Sequence, residues 1–319
     1  GFAKALRTIP VILDICKEME ELAPDAFLVN FTNPAGIVTE AVLKHSRARP
    51  VGLCTLPIHT RMQIAKLTGA KPELVDIEMA GINHLNWTTR IAVDGEDRTA
   101  EIVNRYRNGE GLSVKNITDH KWGDVLLDSL GMLPCSYLRY YYLKDVMLAE
   151  QIESLKTKGT RAEIVRKVEA ELFELYRNPE LQEKPGQLEQ RGGAYYSQAA
   201  VELISSIYND KKDRQIVNVR NGGIIRGLPD DASIEVGCVI TSDGAVPLPL
   251  ARELPAGPRG LLQVVKAYEE LTIEAGVNGD YNSAFQALAI HPLVGTSALA
   301  KSILDDILAQ NRRFLPQFR

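Results

Sequence analysis

Two residues at the ends of short apolar runs are of types that could do chemistry together. Cys54 closes "RPVGLC", and His84 sits in "AGINHLNW" between Asn83 and Asn86, outside any apolar stripe. A cysteine and a histidine brought from two strand ends can share one divalent cation. Two protein ligands of mixed softness leave coordination positions open, which suits catalysis better than a structural role. The bland alternative for Cys54 is core packing, common for a free thiol, and the spacing from Cys54 to His84 specifies nothing by itself. Asn33, just before Pro34, is a candidate ligand at another strand end and equally a candidate helix cap. In "LPCSYLRYYYLKD", Tyr137 follows Ser136 at an expected helix start, while Tyr140, Tyr141 and Tyr142 read as core. A cation beside a tyrosine favours its phenolate, which is a base. "GTRAEI" matches a capping box, Thr160 with Glu163, and puts Arg161 in a first helical turn, where a phosphate could bind or the side chain could simply be solvated. Arg191 in "RGGAYYS" is a second anion candidate.

The elements that must position these residues can be read from periodicity. Ile9, Ile12, Leu13, Cys16 and Met19 share one helical face, "DAFLVNF" reads as a buried strand, and "NPAGIVTEAVLKHS" as a helix with Pro34 at its first position. The strand "RPVGLC" and the helix "PIHTRMQIAKLTG", stopped by Gly69, complete the rhythm of a parallel, doubly wound sheet. From Val75 onward "VDIEMAGINHLNWTTRIAV" predicts two strands with a turn near Asn83–Asn86. Helices follow to about Tyr208, among them "RAEIVRKVEAELFELY" with an apolar stripe of Ile164, Val165, Val168, Leu172 and Phe173. "QIVNV" and "ASIEVGCVI" are short β segments, and helices run to the end. "NPELQEKPGQLEQRGG" is expected to be a surface loop entering a helix from Ala194.

Composition excludes some classes. The 319 residues are 45% apolar and 24% charged, with a formal charge of −4. No dense basic run suggests nucleic acid, and no apolar stretch is long enough for a membrane helix. The scattered Cys16, Cys54, Cys135 and Cys238 fit reduced thiols and a cytoplasmic setting. The chain starts at Gly1 inside a helical pattern, so its natural N-terminus is expected to lie upstream.

Taken together, "GFAKALRTIPV", "NFTNPAGIVTEA", "VGLC", "GINHLNW", "YLRYYY", "RGGAYYS", "NGGIIRGLPDD" and "HPLVG" resemble glycoside hydrolase family 4, the NAD- and metal-dependent glycosidases, and most closely its 6-phospho-β-glucosidase members. The resemblance implies an α/β fold: the remainder of a Rossmann-type parallel sheet (1–74) and a mixed α+β, lactate/malate-dehydrogenase-like domain that binds substrate and metal (75–319). It implies Cys54 and His84 as ligands of a divalent ion, usually Mn²⁺, Tyr137 as catalytic base, Asn33 as a sugar ligand, and Arg161 and Arg191 as substrate ligands. The implied substrate is a phosphorylated disaccharide or aryl glucoside, and the implied assembly a homodimer or homotetramer. In such enzymes NAD⁺ takes hydride from sugar C3, tyrosinate removes the C2 proton, and the C1 bond breaks by elimination. Water then adds and the hydride returns, without the usual carboxylate pair.

Two departures from the family pattern matter. Thr55 follows the metal cysteine, where α-acting members tend to have Asp and β-acting ones Asn; it cannot be a carboxylic acid, which favours β-linkages. The glycine-rich nucleotide loop is not found, so the dinucleotide-binding residues are unknown and the chain as supplied is expected to be inactive. The competing readings are an α-specific member of the family, an NAD-dependent 2-hydroxyacid dehydrogenase, which needs a His–Asp pair and no metal, and a non-catalytic sugar-phosphate binding module.

Overall fold

The computed structural model describes residues 1–110, 117–188 and 195–318. The chain opens with α1 (Phe2–Leu22), β1 (Phe27–Asn30), α2 (Ala35–His45), β2 (Arg49–Gly52) and α3 (Leu56–Thr68), the order the periodicity predicts. Next come β3 (Val75–Ile82), β4 (Leu85–Val93), β5 (Glu96–Asp97), α4 (Thr99–Arg107), α5 (Asp124–Leu130) and β6 (Leu133–Pro134). The helices α6 (Arg139–Tyr142), α7 (Lys144–Thr157), α8 (Arg161–Tyr176) and α9 (Tyr196–Tyr208) lead to β7 (Arg214–Arg220), β8 (Ser233–Thr241) and β9 (Gly244–Pro247). Three helices finish the chain: α10 (Ala256–Asn278), α11 (Tyr281–Ile290) and α12 (Ser297–Asn311).

The first sheet runs β1-β2-β7-β8-β9. Only β1 and β2 are parallel, in register from Phe27↔Arg49 to Asn30↔Gly52. Beyond them the sheet is antiparallel, through Gly52↔Asn218 and Asn218↔Glu235. The parallel rhythm therefore describes its first two strands, because the chain returns to this sheet only after the whole of β3 to α9 and local periodicity carries no trace of that return. The second sheet is β3-β4-β5, with β6 on β4, and β3 packs against β8.

Helix α2 is buried from Ala35 to Val42, since it packs on β2, α1 and α10. Its approach to β2 requires Gly52: a Cβ there would stand 2.4 Å from Thr39 Oγ1 and 2.7 Å from Asn218 Cβ. Pro34 is the N-cap residue of α2 rather than its first helical residue, and no side chain caps the helix. Asn33 thus lacks the capping role. The turn is fastened instead by buried Asn30, whose Nδ2 donates to Ala35 O and Thr39 Oγ1. In α8 the predicted stripe is narrower than expected, with Val168 and Leu172 buried and Phe173 63% exposed.

One continuous core joins the two sheets, with Ile64, Ile82, Leu85, Trp87, Val217 and Val236 at its centre. A smaller cluster, including Phe2, Leu6, Ala275, Ala284 and Leu304, binds α1 to the C-terminal helices. Buried Lys266 on α10 donates to Glu40 Oε2 of α2 at 2.5 Å and to Glu269 Oε2 at 2.6 Å. Burial opposes the ammonium charge, but the Glu269 and Glu40 carboxylates outweigh it and raise its pKa. Removing one member would leave an uncompensated buried charge.

Candidate active site

His84 lies in the two-residue turn between β3 and β4, where Ile82 pairs with Leu85. Its φ of 65° is left-handed, uncommon for a residue with a Cβ. The hairpin closes this tightly because residue 81 is glycine, with φ of 152°; a Cβ there would stand 2.3 Å from Leu85 O. Cys54 comes two residues after β2 and just before Thr55, the N-cap of α3. The Leu56 N–H donates to Cys54 Sγ at 3.4 Å, and the Asn83 side chain also hydrogen-bonds the thiol. Asn83 therefore ties the β3–β4 turn to the end of β2.

Tyr137 enters from the 3-10 turn Ser136–Leu138. Its ring stacks on the His84 imidazole, centroids 4.0 Å apart and planes 11° from parallel. The neighbouring Cys135 anchors this turn: its N–H donates to Asn86 O at 3.0 Å and its Sγ to His84 O at 3.3 Å. The structure thus brings Cys54, His84 and Tyr137 into one group, although they come from three separate stretches of chain.

The electrostatics of the group follow from burial. Burial, and then the charge of Glu235, push the Cys54 thiol far above its ordinary range, against hydrogen bonds from Leu56 N–H and Asn83. Holding it as thiolate near neutral pH calls for a nearby cation. Burial pushes His84 down to about 4, so its imidazole is neutral at pH 7 and keeps a lone pair for coordination. Among the described residues no set of three or more His, Cys, Asp and Glu side chains is gathered for a metal.

Glu235 was passed over in the sequence. It lies on β8, fully buried, and accepts hydrogen bonds from Asn83 Nδ2 at 3.0 Å, Asn218 Nδ2 at 3.0 Å and Asn86 Nδ2. The signal that could have found it is one acid inside the otherwise apolar "ASIEVGCVI". Tyr141, which the sequence reads as core, has its Oη 3.4 Å from His291 Nε2.

Asn33 is exposed ahead of α2. Arg161 is the exposed first residue of α8, whose capping box is formed as expected, Thr160 accepting from the Glu163 N–H and Glu163 from the Thr160 N–H. That box already occupies amides that a phosphate would use. Arg191 lies outside the described residues. A cavity of about 320 Å³ is lined by Leu53, Cys54, Ile58, Arg61, Ile77 and Leu250 among others, but neither His84 nor Tyr137 reaches it.

Comparison with known proteins places the chain in a family. The model of family 4 glycosyl hydrolases matches residues 1–70, and that of the family 4 glycosyl hydrolase C-terminal domain matches residues 79–294. A probable 6-phospho-β-glucosidase of Bacillus subtilis is 47% identical over 320 residues, covering 100% of this chain and 72% of the relative. A 6-phospho-α-glucosidase of Leptotrichia buccalis is 29% identical over 331 residues, covering 99% and 73%. The structure of the 6-phospho-β-glucosidase from Thermotoga maritima with manganese, NAD⁺ and glucose-6-phosphate superposes with a TM-score of 0.83 at 32% identity, covering 98% and 72%. A lactate dehydrogenase from a deep-sea metagenome library, at 14% identity and TM-score 0.53 over 86% and 70%, shares the fold alone. The chain belongs to family 4 of the glycosyl hydrolases and is a glycoside hydrolase of the 6-phospho-β-glucosidase type.

Proposed function

We propose that the chain hydrolyses 6-phospho-β-glucosides with NAD and a divalent cation, Mn²⁺ foremost, and that Cys54, His84 and Tyr137 form its reaction centre. The observation that carries this reading is the stack of Tyr137 on His84, with Asn83 joining the same turn to Cys54. A half-buried thiol and a neutral imidazole are a donor pair that fits a divalent ion. Cys54 and His84 would hold it. When bound, NAD⁺ supplies a hydride acceptor for sugar C3 and the ion a Lewis acid for the adjacent oxygens. Tyr137 takes the C2 proton onto its phenolic oxygen, the bond from C1 to the leaving group breaks by elimination, and Tyr137 returns the proton once water has added. Asn33 contributes to sugar binding, and Arg161 and Arg191 to holding the substrate, Arg161 at its phosphate. Among the described residues no glycine-rich strand-to-helix turn is formed, so none is assigned to the pyrophosphate.

Specificity for β-linkages is supported by Thr55, which offers no carboxylic acid, and by the higher identity to the β-named relative than to the α-named one. A 2-hydroxyacid dehydrogenase would need an acid paired with its histidine; the side chain against His84 is Tyr137. A homo-oligomer is supported by the exposed Val201, Ile204 and Tyr208 of α9. No described helix is long and apolar enough to cross a membrane. The test is an assay of the complete protein on chromogenic 6-phospho-β- and 6-phospho-α-glucosides, with and without NAD⁺ and Mn²⁺. Turnover of the β-substrate alone, dependent on both additions, is expected. Equal turnover without them, or preference for the α-substrate, would overturn the reading.

A further inference from the structure

The carboxylate of Glu235 has three amide donors and, among the described residues, no ion pair. It stands at the crossing of the two sheets. Gly52, Asn218 and Glu235 form one cross-strand row over β2, β7 and β8. From the second sheet, Asn83 and Asn86 on either side of His84 reach over to the same carboxylate. Asn218 Nδ2 also lies 3.4 Å from Gly52 O. The side-chain oxygens of Asn86 and Asn218 have no hydrogen-bond partner among the described residues. These amides are thus turned by their nitrogens toward one acceptor. Only a carboxylate can accept from all three side chains while donating to none.

From this arrangement we infer that Glu235 is a positioning residue for the divalent ion. It clamps the Asn83–His84 turn against the row of strands that ends beside Cys54, so that the turn and the strand end keep one relative position before any ion arrives. Burial works against its ionised form while the three amides support it; a nearby cation would complete the compensation. Removing groups that orient metal ligands from behind typically costs about 10–100-fold in metal affinity.

The inference rests on the reading of Cys54 and His84 as metal ligands, and the test separates the two. Mn²⁺ is titrated into the complete wild-type protein and into Glu235→Gln, with free Mn²⁺ followed by electron paramagnetic resonance and NAD⁺ affinity measured in parallel. The variant is expected to bind Mn²⁺ about 10–100-fold more weakly, with NAD⁺ affinity near that of wild type. Unchanged Mn²⁺ affinity would overturn the inference, and so would an equal loss of both affinities, which marks a fold loosened as a whole. If Glu235→Gln does not fold, as judged by circular dichroism, Asn83→Ala takes its place: it frees the turn and leaves the row from Gly52 to Glu235 intact. It should show the same selective loss, and wild-type Mn²⁺ binding in it would overturn the inference. A wild-type protein that binds no Mn²⁺ would overturn the metal reading itself, and this inference with it.

Discussion

The ring of Tyr137 lies flat on the imidazole of His84, 4.0 Å between centroids and 11° from parallel. Neither residue comes from the same element as the other. His84 is set by the tight β3–β4 turn and Tyr137 by a short 3-10 turn, and Cys135 binds the two turns together. The orientation of Tyr137, the proposed base, is fixed by the same side chain proposed to hold the metal.

Tyr137→Phe keeps the stacked ring and removes only the hydroxyl. In the complete protein it should lower kcat by about 10²–10⁴-fold, the usual cost of losing a general base, while Mn²⁺ and NAD⁺ affinities stay close to wild type. Steady-state kinetics with parallel Mn²⁺ titration checks this. Undiminished kcat would move the base role to another group, and Tyr141, beside His291, would be examined first.

Cys54→Ala and His84→Ala should each weaken Mn²⁺ binding by more than the roughly 10–100-fold typical of an orienting neighbour. Each removes one of only two protein donors. Equilibrium dialysis against Mn²⁺ gives the affinities directly. Wild-type binding in either variant would exclude that residue from the ion's coordination.

Gly52→Ala tests whether the close approach of α2 to β2 is needed for stability. The new Cβ would meet Thr39 Oγ1 and Asn218 Cβ at less than normal contact, and overpacking of this kind costs about 1–3 kcal/mol. Urea unfolding should show the loss. An unchanged midpoint would mean that the helix and strand can part without penalty.

Asp280 gives a pH test of the C-terminal helices. As N-cap of α11 it accepts from the Asn282 and Ser283 N–H groups, and hydrogen bonds from Ser283 hold its carboxyl below the usual range. A folded-state pKa below the unfolded value of about 3.9 means that its contribution is present above that value and lost as pH falls through the folded one. The gap in Tm between wild type and Asp280→Ala should therefore be constant from about pH 7 to 5 and close below about pH 4. A gap that widened on acidification would contradict the assignment.

Much of the architecture was legible in the sequence because its causes are local. The apolar face of α1, the left-handed Gly69 that stops α3, the turn at Asn83–His84 and the capping box of Thr160 with Glu163 each depend on residues a few positions apart. Residue types likewise marked Cys54, His84 and Tyr137 as chemistry without placing them side by side. What only the tertiary structure decided are the relations between distant stretches. The first sheet turns antiparallel after β2 because residues 214–247 return to it, and no window of sequence records which strand they will meet. Asn33 is displaced as a cap because Asn30, anchored on Thr39, already fastens that turn. Glu235 gathers donors from β7 and from both sides of His84, because a buried carboxylate must find its partners wherever folding brings them, at whatever distance along the chain.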